Sequence, residues 1–154
     1  MLNFREANID DLQLYFDWAN DEAVRENSYN PAKIDLESHS RWFSAKVDDK
    51  SCLLLIFQNE ENKNVGQIRI QKQDNQESII GVSVDFEFRG KGYAKEMLQL
   101  ASDYFLVLNP DFVINAFIKI NNLNSKYAVE KAGFEFTQFV DYEDSSSFHY
   151  KKKK

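Results

Sequence analysis

The segment RGKGYAKEM (89–97) places two glycines and three basic residues directly before a helical apolar pattern. A turn of this kind could bind an anion, because N–H groups at a helix N-terminus point toward a ligand and the helix dipole favours negative charge. Spacing excludes two other phosphate motifs. A P-loop needs Gly-Lys followed by Ser or Thr, and a dinucleotide fingerprint needs a third glycine where Lys95 stands. The turn is either a pyrophosphate cradle or an ordinary strand-to-helix connection with solvated basic side chains.

The bulk composition narrows the class of protein. The 154 residues predict a single domain spanning 1–154, and the net charge of −6 argues against a broad nucleic-acid surface. The lone cysteine, Cys52, lies in an apolar run and is interpreted as packing. It permits no internal disulfide, which favours a reducing, cytoplasmic location. No membrane-spanning run and no metal site are predicted, and the last four lysines (151–154) are expected to be solvated and frayed.

Apolar periodicity predicts the order β-α-α-β-β-β-α-β-α-β-β. The predicted strands cover residues 2–7, 52–57, 64–72, 78–88, 111–118, 134–142 and 146–152. The predicted helices cover 12–20, a short stretch within 21–31, 36–47, the segment from the glycine turn to Leu108, and 121–132. Asp35 is a candidate N-cap and Gly133 a candidate C-cap. Hairpins combined with two helical crossovers predict a mixed α/β (α+β) sheet that is not doubly wound.

Two motifs in this order resemble the GNAT family of N-acetyltransferases. The first family motif, Q/R-x-x-G-x-G/A after the fourth strand, is matched by Arg89, Gly92 and Ala94. The second, N-x-x-S followed by K-x-G-F, is matched by five residues: Asn122, Ser125, Lys131, Gly133 and Phe134. The resemblance covers nearly the whole chain. It implies about seven mostly antiparallel strands, helices on both faces, and a V-shaped splay between strands 4 and 5.

The resemblance also implies acetyl-CoA as co-substrate. In the family, the turn grips the pyrophosphate through backbone N–H groups, and pantetheine lies beside the fourth strand like an added strand. A backbone N–H there can polarise the thioester carbonyl. The residues that this assigns to acetyl-CoA are Val82, Val84, Arg89, Gly90, Lys91, Gly92, Tyr93, Ala94, Asn122 and Ser125. For Asn122 and Ser125, a helix cap and a solvated hydroxyl are the alternatives.

The implied chemistry is direct attack of a neutral amine on the thioester, which needs a base and then a proton for the CoA thiolate. Asp85 and Glu87 are the candidate bases, on the strand that leads into the turn. The family often supplies the proton from a tyrosine where this chain has Val129. Tyr127 is about 200° away around the helix. The remaining candidates for the acid are Tyr93, Tyr142, Tyr150 and a water molecule.

The N-terminal segment predicts the acceptor. Its pattern W-x-N-D-x-x-V-R-x-x-S, then H-x-x-W-F, resembles the GNAT branch that acetylates nucleotide-linked amino sugars of the pseudaminic acid type. A UDP-amino sugar would use Trp18 for stacking and Arg25 for the diphosphate. Asn20, Ser28 and His39 would bond hydroxyls, and His39 is a further candidate base. Trp42 and Phe43 are predicted to pack on the sheet.

Two other functions share these features. The GNAT branch that acetylates ribosomal-protein N-termini has a similar N-terminal pattern, and a non-catalytic domain that binds acyl-CoA fits the departure at Val129. The C-terminal aromatic residues are predicted to be core, with the seam of a homodimer as the alternative: Phe134, Phe136, Phe139, Tyr142 and Phe148.

Overall fold

The computed structural model describes residues 1–154. Its strands are β1 (Asn3–Glu6), β2 (Cys52–Gln58), β3 (Asn64–Lys72), β4 (Glu77–Val84), β5 (Val113–Lys119), β6 (Glu135–Tyr142) and β7 (Ser145–Lys153). Its α-helices are α1 (Leu12–Ala19), α2 (Glu22–Asn27), α3 (Leu36–Asp48), α4 (Tyr93–Leu108) and α5 (Leu123–Lys131). Two single turns of 3-10 helix cover Ile9–Asp11 and Phe86–Phe88. From β2 onward the predicted order of elements is confirmed. Between β1 and β2 the predicted order has two helices and the structure has three, because the short stretch predicted within 21–31 forms the separate helix α2.

Most ends of helices and strands lie within two residues of the prediction, and two features differ further. β4 ends at Val84, and the predicted extension to residue 88 is a 3-10 turn, because the Asp85 side chain accepts a hydrogen bond from the N–H of Glu87 and curls the chain. The lysine tail is not frayed, since Lys151–Lys153 belong to β7 and pair with β5. Lys152 is held by the Ser102 hydroxyl and the Ala132 carbonyl.

The seven strands form one mixed sheet in the order β1-β2-β3-β4-β5-β7-β6. All neighbouring pairs are antiparallel except β4 and β5, which run parallel. Helices cover both faces. A cluster of 21 buried residues joins the sheet to α4 and α5, and a second cluster of five lies under α1 and α3. This arrangement confirms the predicted fold class.

The parallel pair opens into a V. β4 and β5 are paired only from Glu77–Val113 to Ile79–Asn115. Beyond Ile79 the two strands continue without pairing, so the backbone between them is available to a ligand. The predicted splay is present, and it opens toward the N-terminus of α4, since β4 leads directly into the turn that starts this helix.

The aromatic residues near the C-terminus divide between core and surface. Phe134 and Phe148 are buried as predicted, whereas Phe136 and Phe139 are 47% and 69% exposed. The core prediction is wrong for these two because β6 is the edge strand. Cys52 is half-buried, and burial raises the pKa of its thiol. No helix combines the length and the apolar character needed to cross a membrane.

Candidate active site

The turn before α4 has an open backbone that requires glycine. Gly90 and Gly92 have φ of +77° and +78°, where other residues are strained, and no atom lies within 4 Å of a Cβ built on either. Gly92 is also the N-cap of α4 and provides no side-chain acceptor. The first N–H groups of the 16-residue helix therefore have no protein partner at this end and can bind an anion.

The basic residues of the turn differ in their partners. Arg89 donates from Nη2 to Asp21 Oδ2 at 2.6 Å and from Nε to the Val84 carbonyl at 3.1 Å. Burial alone would raise the pKa of Asp21, but the bond from Arg89 and the N–H groups at the start of α2 outweigh it and lower that pKa. Lys91 and Lys95 have no ion pair. Arg89 therefore ties the turn to α2, and the two lysines remain available to phosphate.

The hydrogen-bond phase of β4 decides which residues face the open V. In an antiparallel ladder, alternate residues exchange both backbone bonds with the partner strand. Asp85 donates to the Val65 carbonyl and Gln73 donates to the Glu77 carbonyl, so the odd-numbered residues of β4 pair with β3. Val82 and Val84 therefore direct their N–H and C=O toward β5, into the V. Arg89 occupies the Val84 carbonyl, which leaves Val82 with both groups free.

Side chains of β4 divide between the two faces of the sheet. Val82 and Val84 pack against the large core under α4. Gly81, Ser83 and Asp85 consequently project from the opposite face, the one covered by α1 to α3. We call this the acceptor face. The open V thus has acetyl-CoA-binding features along its backbone and a separate set of side chains beside it.

Asp85 is a hydrogen-bond acceptor within the protein. Its Oδ2 accepts from Trp18 Nε1 at 2.7 Å, and its Oδ1 accepts from the Glu87 N–H at 2.9 Å. Trp18 is 6% exposed in the core under α1, so its ring is not available to stack on a ligand. Glu87 is exposed on the 3-10 turn. Both candidate bases are therefore near the cofactor turn, but Asp85 already anchors α1.

The polar residues predicted to bind the acceptor hold the loop after α2 in place. Asn20 exchanges two bonds of 2.8 Å with the backbone of Ile34. The Arg25 guanidinium donates to two loop carbonyls and to Ser28, whose hydroxyl in turn donates to the Val24 carbonyl. These three side chains are structural here, since each is bonded to the loop or to α2 before any acceptor arrives; Arg25 Nε alone is buried without a partner.

His39 lies away from the V. It is 2% exposed, stacks on Phe43 at 5.8 Å, and its Nε2 is 3.2 Å from the Leu12 carbonyl. Burial lowers the pKa of His39. The structure does not bring this imidazole to the cleft, so its predicted roles as base and hydroxyl ligand have no geometric support. Phe43 is fully buried, as predicted, and Trp42 is half-buried beside the smaller core.

The second motif builds the start of α5. Asn122 is the N-cap, and its Oδ1 accepts from the Ser125 N–H at 3.4 Å. Val129 is 2% exposed within the main core, whereas Tyr127 is 51% exposed. The side chain at position 129 therefore faces away from solvent and the V. Cap geometry accounts for Asn122 without a ligand.

An aromatic wall that the sequence reasoning did not assign stands beside β5. Phe117 stacks on Tyr142 at 4.0 Å with 2° between the rings, and Tyr29 meets Tyr142 edge-on at 5.0 Å. The Tyr29 hydroxyl is 2.7 Å from Ser147 Oγ. Phe117 alternates along β5 with the core residues Ile114, Ala116 and Ile118, which places it on the acceptor face. That alternation was the only signal available in the sequence.

A buried polar network lies behind this wall at the apex of the V. Asn115 donates from Nδ2 to Glu77 Oε2 at 2.7 Å and to the Ser78 carbonyl at 3.0 Å. Its Oδ1 must then accept from His149 Nε2, at 2.8 Å, which fixes the tautomer of His149. Burial lowers the pKa of His149, assisted by Lys151 and opposed by Glu77. The imidazole is therefore neutral at physiological pH.

A family comparison agrees with these features. The acetyltransferase (GNAT) domain family matches residues 1–135. The chain belongs to this family. The matched segment contains the whole V, the glycine turn and both helices that flank it, so acetyl-CoA is the co-substrate that this acetyltransferase site is built to hold. A search of curated proteins finds no match.

Solved structures share the complete fold at low sequence identity. Aminoglycoside acetyltransferase AAC(6')-Ib in complex with coenzyme A and kanamycin is 18% identical, with a TM-score of 0.84 over 99% of this chain and 95% of the other. Spermidine N-acetyltransferase from Vibrio cholerae with CoA and spermine is 14% identical, with a TM-score of 0.86 over 98% and 94%. A domain from Methanocaldococcus jannaschii is 20% identical, with a TM-score of 0.83 over 99% and 97%.

Proposed function

We propose that this acetyltransferase transfers the acetyl group of acetyl-CoA to the primary amine of a small molecule that binds on the acceptor face. The observation that carries the proposal is the continuity of the open V with the glycine turn. Val82 offers an unpaired N–H and C=O beside β5, and the uncapped N-terminus of α4 follows ten residues later. Pantetheine can pair with the backbone of Val82, and pyrophosphate can bind the N-terminus of α4.

The reaction follows from this geometry. The neutral amine nitrogen attacks the thioester carbonyl carbon, the C–S bond breaks, and the amine loses one proton while the CoA thiolate gains one. The Val82 N–H is placed to stabilise the oxyanion of the tetrahedral intermediate. Asp85 and Glu87 lie on the segment that leads into the turn, and a water held by either can accept the proton. The buried Val129 cannot supply a proton, so water or a cleft tyrosine such as Tyr142 has this role.

Two observations support a small molecule as the acceptor. The solved relatives bind kanamycin, paromomycin, ribostamycin or spermine, which are small molecules that contain amines. In this chain the acceptor face offers a floor at Gly81 and the aromatic wall of Tyr29, Phe117 and Tyr142 beside the V. A nucleotide-linked amino sugar is one member of this class. The predicted contacts from Trp18, Asn20, Arg25 and Ser28 do not favour it, because all four are bonded within the protein.

The test is release of CoA thiol by the purified protein with a panel of acceptors. The panel contains amino sugars with and without a linked nucleotide, spermidine, kanamycin and N-terminal peptides. Saturable thiol release with a small amine and an acetylated product of the correct mass is expected. Release with peptides alone would overturn the small-molecule proposal, and acetyl-CoA binding without transfer would indicate a non-catalytic domain.

A further inference from the structure

Arg69 is unlike the other four arginines of the chain, because its guanidinium has no hydrogen bond and no ion pair. Arg5 bonds Asp11 on the adjacent 3-10 turn, Arg41 bonds Glu37 one turn earlier in α3, and Arg89 bonds the carboxylate at the start of α2. Arg25 bonds loop carbonyls. A guanidinium has five N–H donors in a rigid fork that matches carboxylate and phosphate. Arg69 therefore has its full donor set available.

The position of Arg69 is at the edge of the open V. Arg69 on β3 pairs with Gly81 on β4, and its Nη2 is 3.9 Å from a Cβ built on Gly81. Its Cζ is 5.5 Å from the centroid of the Trp42 ring, which supports the guanidinium in a cation–π contact. The absence of a side chain at Gly81 leaves the strand beside the guanidinium open on the acceptor face.

A second unpaired cation lies on the other side of the V. Lys119 is at the end of β5, with its Nζ 5.6 Å from the Tyr29 ring and no ion pair. Burial raises the pKa of the Tyr142 phenol, the exposed Glu143 adds to this, and the charge of Arg69 opposes it. The charge of Arg69 thus reaches the aromatic wall across the cleft. The two cations bracket the place where an acceptor would bind.

Three carboxylates of the same region are already bonded within the protein, whereas Glu87 and Glu143 are exposed. Asp85 accepts from Trp18 and a backbone N–H, and Asp21 accepts from Arg89. Glu77 accepts from Asn115 at the apex. In a chain of net charge −6, two unpaired cations beside acids whose oxygens are already hydrogen-bonded disfavour a polycation. The local charge favours an acceptor with a negative group.

We propose that Arg69, with Lys119, binds a carboxylate or phosphate of the acceptor, so that the acceptor is a primary amine that also carries an anionic group. This inference rests on the proposed acetyltransferase function and specifies the acceptor. The fork of Arg69 holds the anion at the Gly81 edge of the V, while the amine reaches the thioester near Val82. Acceptors that are purely polycationic would meet uncompensated repulsion from both side chains.

The experiment compares acceptors that share an amine and differ in the anion. The phosphate pair is a UDP-linked 4-amino sugar and the same sugar without the nucleotide. The carboxylate pair is phenylalanine and its amide. Spermidine is the acceptor without an anionic group. Each is assayed by CoA-thiol release with wild type, Arg69→Gln and Arg41→Gln. Arg41 is the matched control because it pairs with Glu37 on the exposed side of α3.

We expect the anionic member of one pair to have the higher kcat/KM, which identifies the source of the anion. Arg69→Gln should lower that value about 10- to 100-fold, the size of a lost charge-assisted bond, and leave KM for acetyl-CoA unchanged. Arg41→Gln should match wild type. Equal turnover of both members, or a preference for spermidine that Arg69→Gln does not alter, would overturn the proposal while leaving the acetyltransferase function intact.

A binding measurement separates the two proposals if no acceptor is turned over. Titration of the CoA-saturated protein with UDP, or with phenylalanine, is followed by tryptophan fluorescence, since Trp42 contacts Arg69. A saturable change that disappears in Arg69→Gln would support the anion site although the proposed transfer had failed. An identical response in both proteins, or none, would refute the site.

Discussion

Replacing Gly66 by alanine tests whether the β3–β4 pairing sets the shape of the open V. A Cβ on Gly66 would lie 2.5 Å from the Ser83 carbonyl oxygen and 2.7 Å from Met97 Cε. Met97 ends in a flexible group that can move. The carbonyl cannot, because the ladder phase places it in a bond to Gln67 of β3. The oxygen must retreat by about 0.9 Å to reach an ordinary contact distance of 3.4 Å.

The size of the effect follows from this overlap. Overpacking of a well-packed interior costs about 1–3 kcal/mol of unfolding free energy, which lowers Tm by roughly 2–12 °C in a chain of this size. Ser83 lies between Val82 and Val84, whose backbone groups face the V, so the shift also displaces the acetyl-CoA site. We expect kcat/KM for acetyl-CoA to fall by roughly 10-fold, since misplacement by 1 Å can cost ~100-fold.

Gly81→Ala is the matched control for stability. It adds the same methyl group to the adjacent strand, where the nearest atom is Arg69 Nη2 at 3.9 Å. Because alanine loses less conformational entropy than glycine in a strand, its Tm should be unchanged or slightly higher. Calorimetry on the wild type and the two variants measures the three Tm values. The reasoning is refuted if Gly66→Ala has the Tm of the wild type, or if the two variants lower Tm equally.

Three further predictions concern the bonds around the turn and the two histidines. Asp21→Asn removes the partly exposed ion pair with Arg89. Chemical denaturation at pH 7 should therefore show a free energy of unfolding that is lower by about 0.5–1 kcal/mol. The folded pKa of Asp21 is lowered, so its contribution is present above about pH 4 and is lost as the pH falls through the folded pKa; the difference between variant and wild type should vanish in acid. Asp85→Asn turns one of two acceptor oxygens into a donor, which then faces the indole N–H of Trp18 on α1. We expect the free energy of unfolding to fall by about 1–3 kcal/mol. Unchanged thermal unfolding would contradict this expectation. NMR titration should place both imidazoles, His39 and His149, below the usual pKa of about 6.5, because both are buried. Each therefore destabilises the fold as the pH falls below that value. A ring that titrates at about 6.5 would be solvated, and one that titrates above it would be stabilised as the cation; either result would contradict the expectation.

The fold could be predicted largely because its signals are local. The apolar run of β2, the alternation along β3, the helical period after the glycine turn and Gly133 at the end of α5 are each visible among neighbouring residues. The structure has Gly133 at a φ of +96°. The turn was identifiable because glycine spacing reports positive φ directly. The end of β4 was missed because the bond from the Glu87 N–H to Asp85 competes with strand extension, and no apolar pattern reports it.

The acceptor residues could not be predicted from residue type. A polar side chain next to a predicted helix can bond a ligand or a distant backbone group, and the sequence does not separate these. Trp18 meets Asp85 across 67 positions, and Asn20 meets Ile34 across 14. Arg69, by contrast, lies in a strand of alternating polar and apolar residues, and this pattern predicts only that its side chain faces solvent. Only the fold shows that its neighbour is Gly81 at the edge of the open V.

The N-terminal helices therefore contribute to the site through position more than through contacts. Asp85 holds α1 by Trp18, and Arg89 holds α2 by Asp21, so both helices are fixed to the segment that connects β4 to the cofactor turn. Anything that moves this segment on binding acetyl-CoA must also move the cover of the acceptor face. Arg89 of the family motif therefore has a second contact outside the turn, because it also fixes a helix that covers the acceptor face.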